Sequence, residues 1–412
     1  MRFRRRRRRG AAPGSAPVAL RLAPSRPAAA PVLAIDELSV AYRLRSSDVR
    51  AVERVTLELH AGEVVGLVGE SGSGKSTLAY GACRLLRAPA VITGGSVRYW
   101  PRGSTAPLEI LEQSPEGLRA LRWREIAIVF QSAMNALNPV LEIREQLLDA
   151  VEAHLQLDRE KAEEKVASLL DLVGIPRSRL GSYPHELSGG MRQRVMIAMA
   201  LAADPEVVIM DEPTTALDVV VQRDILAQIV ELKRRLGFAI LFITHDLSLL
   251  LELADRVAVM YAGRLVEVGA AHQIHHEPSH PYTKGLLSSF PSLRGPRREL
   301  VGIPGSPPDL RDVPPGCPFL PRCPYGSARC TAVDMSLSLV RSGSGGGPSD
   351  GHVTACPFVL PETPLRRLGE DGTVVTPLPP EGPDGHSYRA VGSESSSGFP
   401  ADDTGAAGET IA

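Results

Sequence analysis

Val64-Val65-Gly66-Leu67-Val68-Gly69 runs directly into Glu70-Ser71-Gly72-Ser73-Gly74-Lys75-Ser76-Thr77, and this junction decides the fold. The first six residues are a short, wholly apolar β-run, the pattern of a strand buried on both faces. Beyond them the apolar spacing switches to helical through Leu86. The turn between, Gly69–Ser76, fits G-x-x-x-x-G-K-[ST] and stands where that motif must stand, after a strand and opening a helix. Its glycines let the backbone curl so that successive N–H groups point inward at a phosphate chain. The helix that follows adds the positive end of its dipole. Lys75 would reach the β- and γ-phosphates, and the Ser76 hydroxyl would hold Mg²⁺. Gly69, Ser71, Gly72, Gly74, Lys75, Ser76 and Thr77 are therefore the expected nucleotide-binding residues.

Outward from this junction the chain alternates β and α texture. Upstream, LAIDELSVAYRLR (33–45) and AVERVTLELHAGE (51–63) alternate apolar and polar residues, with a turn at Ala61-Gly62; both read as strands. Downstream, Ile126–Phe130, Val207–Met210 and Ala239–Thr244 are apolar strand runs, and residues 141–174 are mostly helical in pattern. Apolar strands alternating with helices predict an α/β fold whose parallel sheet is covered by helices. Beyond about Glu277 the texture changes to Pro, Gly and Cys.

Bulk properties narrow the function classes. Residues 1–32 hold nine Arg and no acid, while the net charge of the 412 residues is −1. The rest of the chain is thus acidic and carries no basic nucleic-acid footprint. No apolar run approaches the ~18–20 residues that span a bilayer. Five Cys in 412 residues are too few for a secreted disulfide scaffold. The expectation is a soluble, intracellular protein. The start, MRFRRRRRRG, lacks the uninterrupted apolar stretch of a signal peptide. It reads as a disordered basic extension or an over-long start, with polybasic contact to lipid or RNA as the alternative.

A phosphate loop needs a second half to hold the metal and activate water. In Val207-Val208-Ile209-Met210-Asp211-Glu212, four apolar residues set a buried strand and acids appear where it ends. Asp211 is placed to bind Mg²⁺ through its water shell and Glu212 to polarise the attacking water. Two adjacent acids at a strand end also suit an ordinary helix start; the phosphate loop in the same chain favours catalysis. Leu187-Ser188-Gly189-Gly190-Met191-Arg192-Gln193-Arg194 then places a hydroxyl and glycine N–H groups at a helix start, a second anion site. One chain with two such sites makes sense if the second serves a neighbour's nucleotide.

With that motif the sequence resembles the ATP-binding cassette (ABC) ATPases, whose signature is LSGG followed by QR. The match extends to Gln131 in VFQ, to Thr215-Ala216-Leu217-Asp218, and to His245 in ITHDL. The resemblance implies ATP and Mg²⁺ as cofactors and a RecA-like core over 32–275, with a helical subdomain at about 132–188. It implies that Gln131 senses metal and attacking water, that Asp218 lies across a dimer interface, and that His245 contacts the γ-phosphate and steadies Glu212. It further implies that Ser188, Gly189 and Gly190 reach ATP held by an opposing subunit, and that Tyr42 stacks on adenine. Translation-associated ABC proteins carry two cassettes and chromosome-maintenance forms a long coiled coil; neither feature occurs here.

Finer resemblance is to the di- and oligopeptide importer ATPases, a group that includes nickel and glutathione importers. It rests on FQSAMNALNP (130–139), LSGGMRQRVMIAMAL (187–201), DEPTTALDVVVQ (211–222), HPYTKGLL (280–287) and IPGSPP (303–308). It implies a peripheral protein on the cytoplasmic face of the membrane, docked on two integral permease subunits. A second ABC ATPase, as a heterodimer more readily than a homodimer, and an extracytoplasmic binding protein would complete the system, with no nucleic acid. The alternatives are a nickel or other small-solute importer and a soluble, non-transport ABC ATPase. The extension would span 276–360, followed by a disordered acidic tail over 361–412.

Cys317, Cys323, Cys330 and Cys356 fall in that extension, and Cys83 stands apart as an expected core residue. Clustered Cys in a cytosolic protein suggest a metal site more than disulfides, but the C-x₂-C pairs usual for zinc are missing. Related importer ATPases with CPF-x-PRC extensions carry a [4Fe–4S] cluster, which Cys₄ ligation suits; zinc and unmetallated thiols remain the alternatives. Residues 342–350 are expected to loop between the third and fourth Cys. His272, His275, His276 and His280 lack ligand spacing and are expected to be solvated.

Overall fold

The computed structural model describes residues 31–45, 47–131, 136–215, 217–289, 302–341 and 348–356. The expectations for the basic start before Pro31 and for the acidic tail lie outside them. Among the described residues, twelve strands form two sheets: β1 (Pro31–Arg43), β2 (Asp48–His60), β3 (Val64–Val68), β4 (Ala90–Tyr99), β5 (Leu108–Glu109), β6 (Ile126–Val129), β7 (Val207–Asp211), β8 (Ala239–Thr244), β9 (Arg256–Tyr261), β10 (Arg264–Ala270), β11 (Ser338–Arg341) and β12 (Pro348–Thr354). The helices are α1 (Lys75–Ala82), α2 (Pro115–Leu121), α3 (Ile143–His154), α4 (Arg159–Leu172), α5 (Gly189–Ala200), α6 (Val219–Leu236), α7 (Leu247–Leu253), α8 (Ala271–His276) and α9 (Pro281–Ser288).

The larger sheet has the order β11-β12-β10-β9-β3-β8-β7-β6, and the smaller, antiparallel sheet has the order β2-β1-β4-β5. Strands β9, β3, β8, β7 and β6 run parallel. Their residues alternate between two cores. Val64, Val68, Val208, Met210, Ile240, Phe242, Val257 and Val259 join one, with α3 to α9. Val65, Leu67, Val207, Ile209, Leu241, Ile243, Ala258 and Met260 join the other, beneath the antiparallel sheet and α1. With both faces covered, every position must be apolar, which is why these strands read as unbroken hydrophobic runs.

Two elements depart from the sequence reading. The hairpin β9–β10 turns on Ala262 and Gly263, both at positive φ (48° and 81°), the geometry of a tight two-residue turn. Ala in place of Asn or Asp hides that signal. Within the Pro- and Cys-rich extension, β12 pairs with β10 through Glu267↔Thr354 and Val268↔Val353, so the extension lengthens the main sheet. The loop expected over 342–350 is shorter, because residues 348–350 already belong to β12. Among the described residues, no helix is long and apolar enough to cross a membrane.

Candidate nucleotide site

The parallel strands place the predicted residues on one sheet edge. The phosphate loop follows β3, Gln131 follows β6, Asp211 ends β7 with Glu212 next, and His245 follows β8. In the order β3-β8-β7-β6 these strand ends are neighbours. Open α/β sheets bind ligands outside such carboxyl ends.

Gly74, which opens α1, shows why the loop needs glycine. Its φ is +102°, and a Cβ there would lie 2.1 Å from the Ala51 carbonyl oxygen of β2. The Lys75 ammonium donates to the carbonyls of Gly69 (2.8 Å) and Glu70 (2.9 Å). Burial lowers the Lys75 pKa, against the pull of Glu212, Asp211 and Glu70. Such an ammonium is stabilised by any anion brought beside it.

The Ser76 hydroxyl donates to Asp211 Oδ1 (3.0 Å), and the Tyr80 phenol to Oδ2 (2.8 Å). Burial raises the Asp211 pKa, and these two hydrogen bonds oppose it. Glu212 is the centre of a second group. Gln131 Nε2 and Thr215 Oγ1 each donate to Oε2 at 3.0 Å, while His245 Nδ1 lies 3.3 Å from Oε1. Glu212 has a φ of +46°, a conformation uncommon for non-glycine residues. Tyr42 is half-buried on β1, its phenol 3.1 Å from Thr77 Oγ1, next to the loop.

The second anion motif does not join these groups. Ser188 caps α5 by accepting from Met191 N–H, and Asp218 caps α6 by accepting from Val220 and Val221 N–H. Gly190 faces α6 at a point where a Cβ would lie 2.6 Å from Val221 Cγ1. Val219 and Val220, beside Asp218, are 67% and 70% exposed. Sequence reasoning missed Tyr80, although its position four residues after Ser76 puts both on one helix face.

No disulfide joins the five cysteines. Cys83 is buried in the core, where desolvation pushes its thiol up to about 12. Burial, with smaller contributions from Cys356, Cys317 and Cys330, likewise pushes Cys323 up to about 12. The four thiols of the extension therefore share one neighbourhood. Among the described residues no three His, Cys, Asp or Glu gather closely enough to hold a single metal ion. Of the four His expected to be solvated, His272, His275 and His276 are exposed, but His280 is buried. Its Nδ1 accepts from the Tyr282 N–H (3.1 Å), capping α9, a role that the ligand-spacing test could not reveal.

Comparison with known proteins places the chain in a family. Residues 52–215 match the ABC transporter family, and residues 266–330 match the oligopeptide/dipeptide transporter C-terminal region. The dipeptide transport ATP-binding protein DppD of Bacillus subtilis (strain 168) is 43% identical over 79% of this chain and 94% of its own length. The oligopeptide transport ATP-binding protein OppD of Escherichia coli (strain K12) is 44% identical over 73% of this chain and 88% of its own. Among solved structures, the MJ0796 cassette dimer bound to ADP and Pi aligns with a TM-score of 0.50 at 25% identity, covering 58% of this chain and 98% of that one. CbiO1 of Clostridium perfringens, part of the cbiONQ ABC transporter complex, aligns at 0.52 and 28%, covering 60% and 91%. That degree of identity over nearly the whole length of its relatives, on a cassette fold, makes this chain a member of the oligopeptide/dipeptide ABC transporter ATP-binding family.

Proposed function

We propose that this ABC ATPase hydrolyses ATP on the cytoplasmic face of the membrane to drive uptake of di- or oligopeptides through two permease subunits. One observation carries the cargo class: the cassette continues into the extension that marks oligopeptide and dipeptide transporters. A second ABC ATPase completes the pair, and an extracytoplasmic binding protein delivers the peptide.

In this reading the phosphate chain lies in the Gly69–Thr77 loop, and Lys75 exchanges its carbonyl partners for phosphate oxygens. Ser76 Oγ and Asp211 Oδ1, 3.0 Å apart, are hard oxygens that would hold Mg²⁺, Asp211 through the ion's water shell. Mg²⁺ held there would supply charge neutralisation for the transferring phosphoryl group. Glu212 orients the attacking water and takes its proton. Gln131, Thr215 and His245 hold that carboxylate in place, and Tyr42 borders the adenine. Ser188, Gly189, Gly190 and Asp218 stand apart from this group because they serve ATP on the opposing subunit, so hydrolysis waits for the dimer to close. The exposed Val219 and Val220 fit that interface.

The donor chemistry of Cys317, Cys323, Cys330 and Cys356 fits a [4Fe–4S] cluster. The four Cys lack the C-x₂-C pairs usual for zinc, which leaves the cluster as the better match to their spacing. Such a cluster supplies a cross-link and a one-electron centre.

Affinity purification of the chain from detergent-solubilised membranes tests the transport reading. Two polytopic permeases and a second ATPase are expected to co-purify. Recovery from the soluble fraction alone, with metabolic enzymes or RNA, would leave the ATPase and remove transport.

A further inference from the structure

Three stretches that the nucleotide chemistry leaves unused, HPYT (280–283), IPGSPP (303–308) and CPFLPRC (317–323), converge on Glu70, the second residue of the phosphate loop. The Glu70 N–H donates to the Tyr282 phenol oxygen at 2.8 Å. The Glu70 carboxylate receives both arms of the Arg322 guanidinium, at 2.6 and 2.9 Å. Arg322 is itself held, its Nε donating to the Pro304 carbonyl (2.7 Å) and its Nη1 to the Tyr261 phenol (3.2 Å). Its side chain is 5% exposed against 26% for Glu70. The rings behind it are packed: Tyr282 lies 4.6 Å from Tyr261 and 5.4 Å from Phe319, centroid to centroid.

The Gly69 carbonyl and the Glu70 N–H belong to one planar peptide unit. Lys75 holds its oxygen until phosphate draws it away, while Tyr282 holds its N–H, so the contact with the extension is the one that remains to fix that plane. The glycines around it impose no such order, since Gly72 and Gly74 sit at positive φ. Ordering a loop before its ligand arrives removes an entropic cost from binding. A bidentate, buried guanidinium is well suited to hold the second residue in one place.

We infer that Tyr282 and Arg322 are positioning residues for the nucleotide: through Glu70, the C-terminal extension holds the phosphate loop in its binding conformation. The inference rests on reading Gly69–Thr77 as the nucleotide loop, and it adds a role for the extension in the ATPase step itself.

The test uses the full-length chain, a fluorescent ATP analogue with Mg²⁺, and thermal melting of each variant. Tyr282→Phe keeps the ring packing and removes the phenol; it is expected to weaken nucleotide affinity about fivefold, the effect of one hydrogen bond. Arg322→Gln is expected to weaken it at least about tenfold, as for hydrogen bonds to a charged group. Glu70→Gln combined with Arg322→Gln should be no worse than the poorer single variant, because both act through one contact. In the assembled transporter, Tyr282→Phe should raise the KM for ATP and leave kcat nearly unchanged. A purely structural role would lower melting temperature alone. Affinity unchanged in folded Tyr282→Phe would overturn the inference, and this variant decides if Arg322→Gln does not fold. Lys75→Ala is the control: loss of affinity there upholds the nucleotide loop whatever Tyr282 does, and retained affinity would fail the loop itself.

Discussion

Glu212 accepts hydrogen bonds from Gln131 and Thr215 and faces His245, so three side chains from separate segments aim at one carboxylate. That convergence is what a base needs, since an aligned carboxylate loses no time in reorientation. Replacing it with Gln keeps the shape and removes the proton acceptor. Glu212→Gln is expected to retain ATP affinity and to lower kcat by roughly 10²–10⁴ in the assembled transporter, as phosphate release would measure. Near-normal turnover would assign the base elsewhere. The positions of Gln131, Glu212 and His245 are legible because each residue type appears at a strand end in a recognisable order. Tyr80 is not, because a Tyr on an amphipathic helix is commonly a packing residue and only the fold places Asp211 over it.

Helix α9 illustrates what happens at the scale of an element. His280 caps it with Nδ1 as acceptor, so the imidazole must be neutral there, and burial lowers its pKa to about 4. Glu267, Phe319 and the α9 backbone surround it: the Glu267 carboxylate accepts from Ser279 N–H (2.6 Å) and His280 N–H (2.9 Å), and lies 2.8 Å from His352 Nε2. Glu267 opposes the depression but does not reverse it. Between the unfolded value near 6.5 and about 4, the unfolded chain binds the extra proton. Stability contributed by neutral His280 is therefore complete above pH ~6.5 and lost as pH falls, by about 2 kcal/mol at pH 5. Melting temperature followed from pH 7 to 5 should decline, and His280→Asn, which caps without titrating, should flatten that decline. An equal slope in both proteins would place the pH sensitivity elsewhere. Other elements follow local rules: Asp158, Ser188 and Asp218 cap α4, α5 and α6, and Gly237 ends α6 at a φ of 75°.

At the scale of the whole molecule, the extension is part of the ATPase rather than an appendage. Strand β12 adds to the main sheet, and the 317–323 turn packs behind the phosphate loop. The turn that carries Cys317 and Cys323 also carries Arg322, so the cysteine neighbourhood and the nucleotide loop share one packed unit. Anaerobically purified protein is expected to contain about four iron and four acid-labile sulfide per chain, the content of a [4Fe–4S] cluster. Cys323→Ser should lose them, and iron-free protein would leave four thiols in a purely structural role.

The sequence by itself determined the strand–loop–helix junction at Val64–Leu86, the doubly buried character of β3, β7 and β8, and the identity of the residues at the sheet edge. All of these are local: a period, a φ that only Gly tolerates, or acids at the end of an apolar run. The β9–β10 hairpin escaped because Ala262 occupies a left-handed position that its side chain does not advertise. The strand order that gathers Gln131, Glu212 and His245 was set by tertiary structure, as was the buried setting of His280. So was the meeting of Glu70 with Arg322, 252 residues apart. Such contacts depend on how two packed layers close over each other, and no periodicity or spacing along the chain encodes which distant side chain that closure brings to the loop.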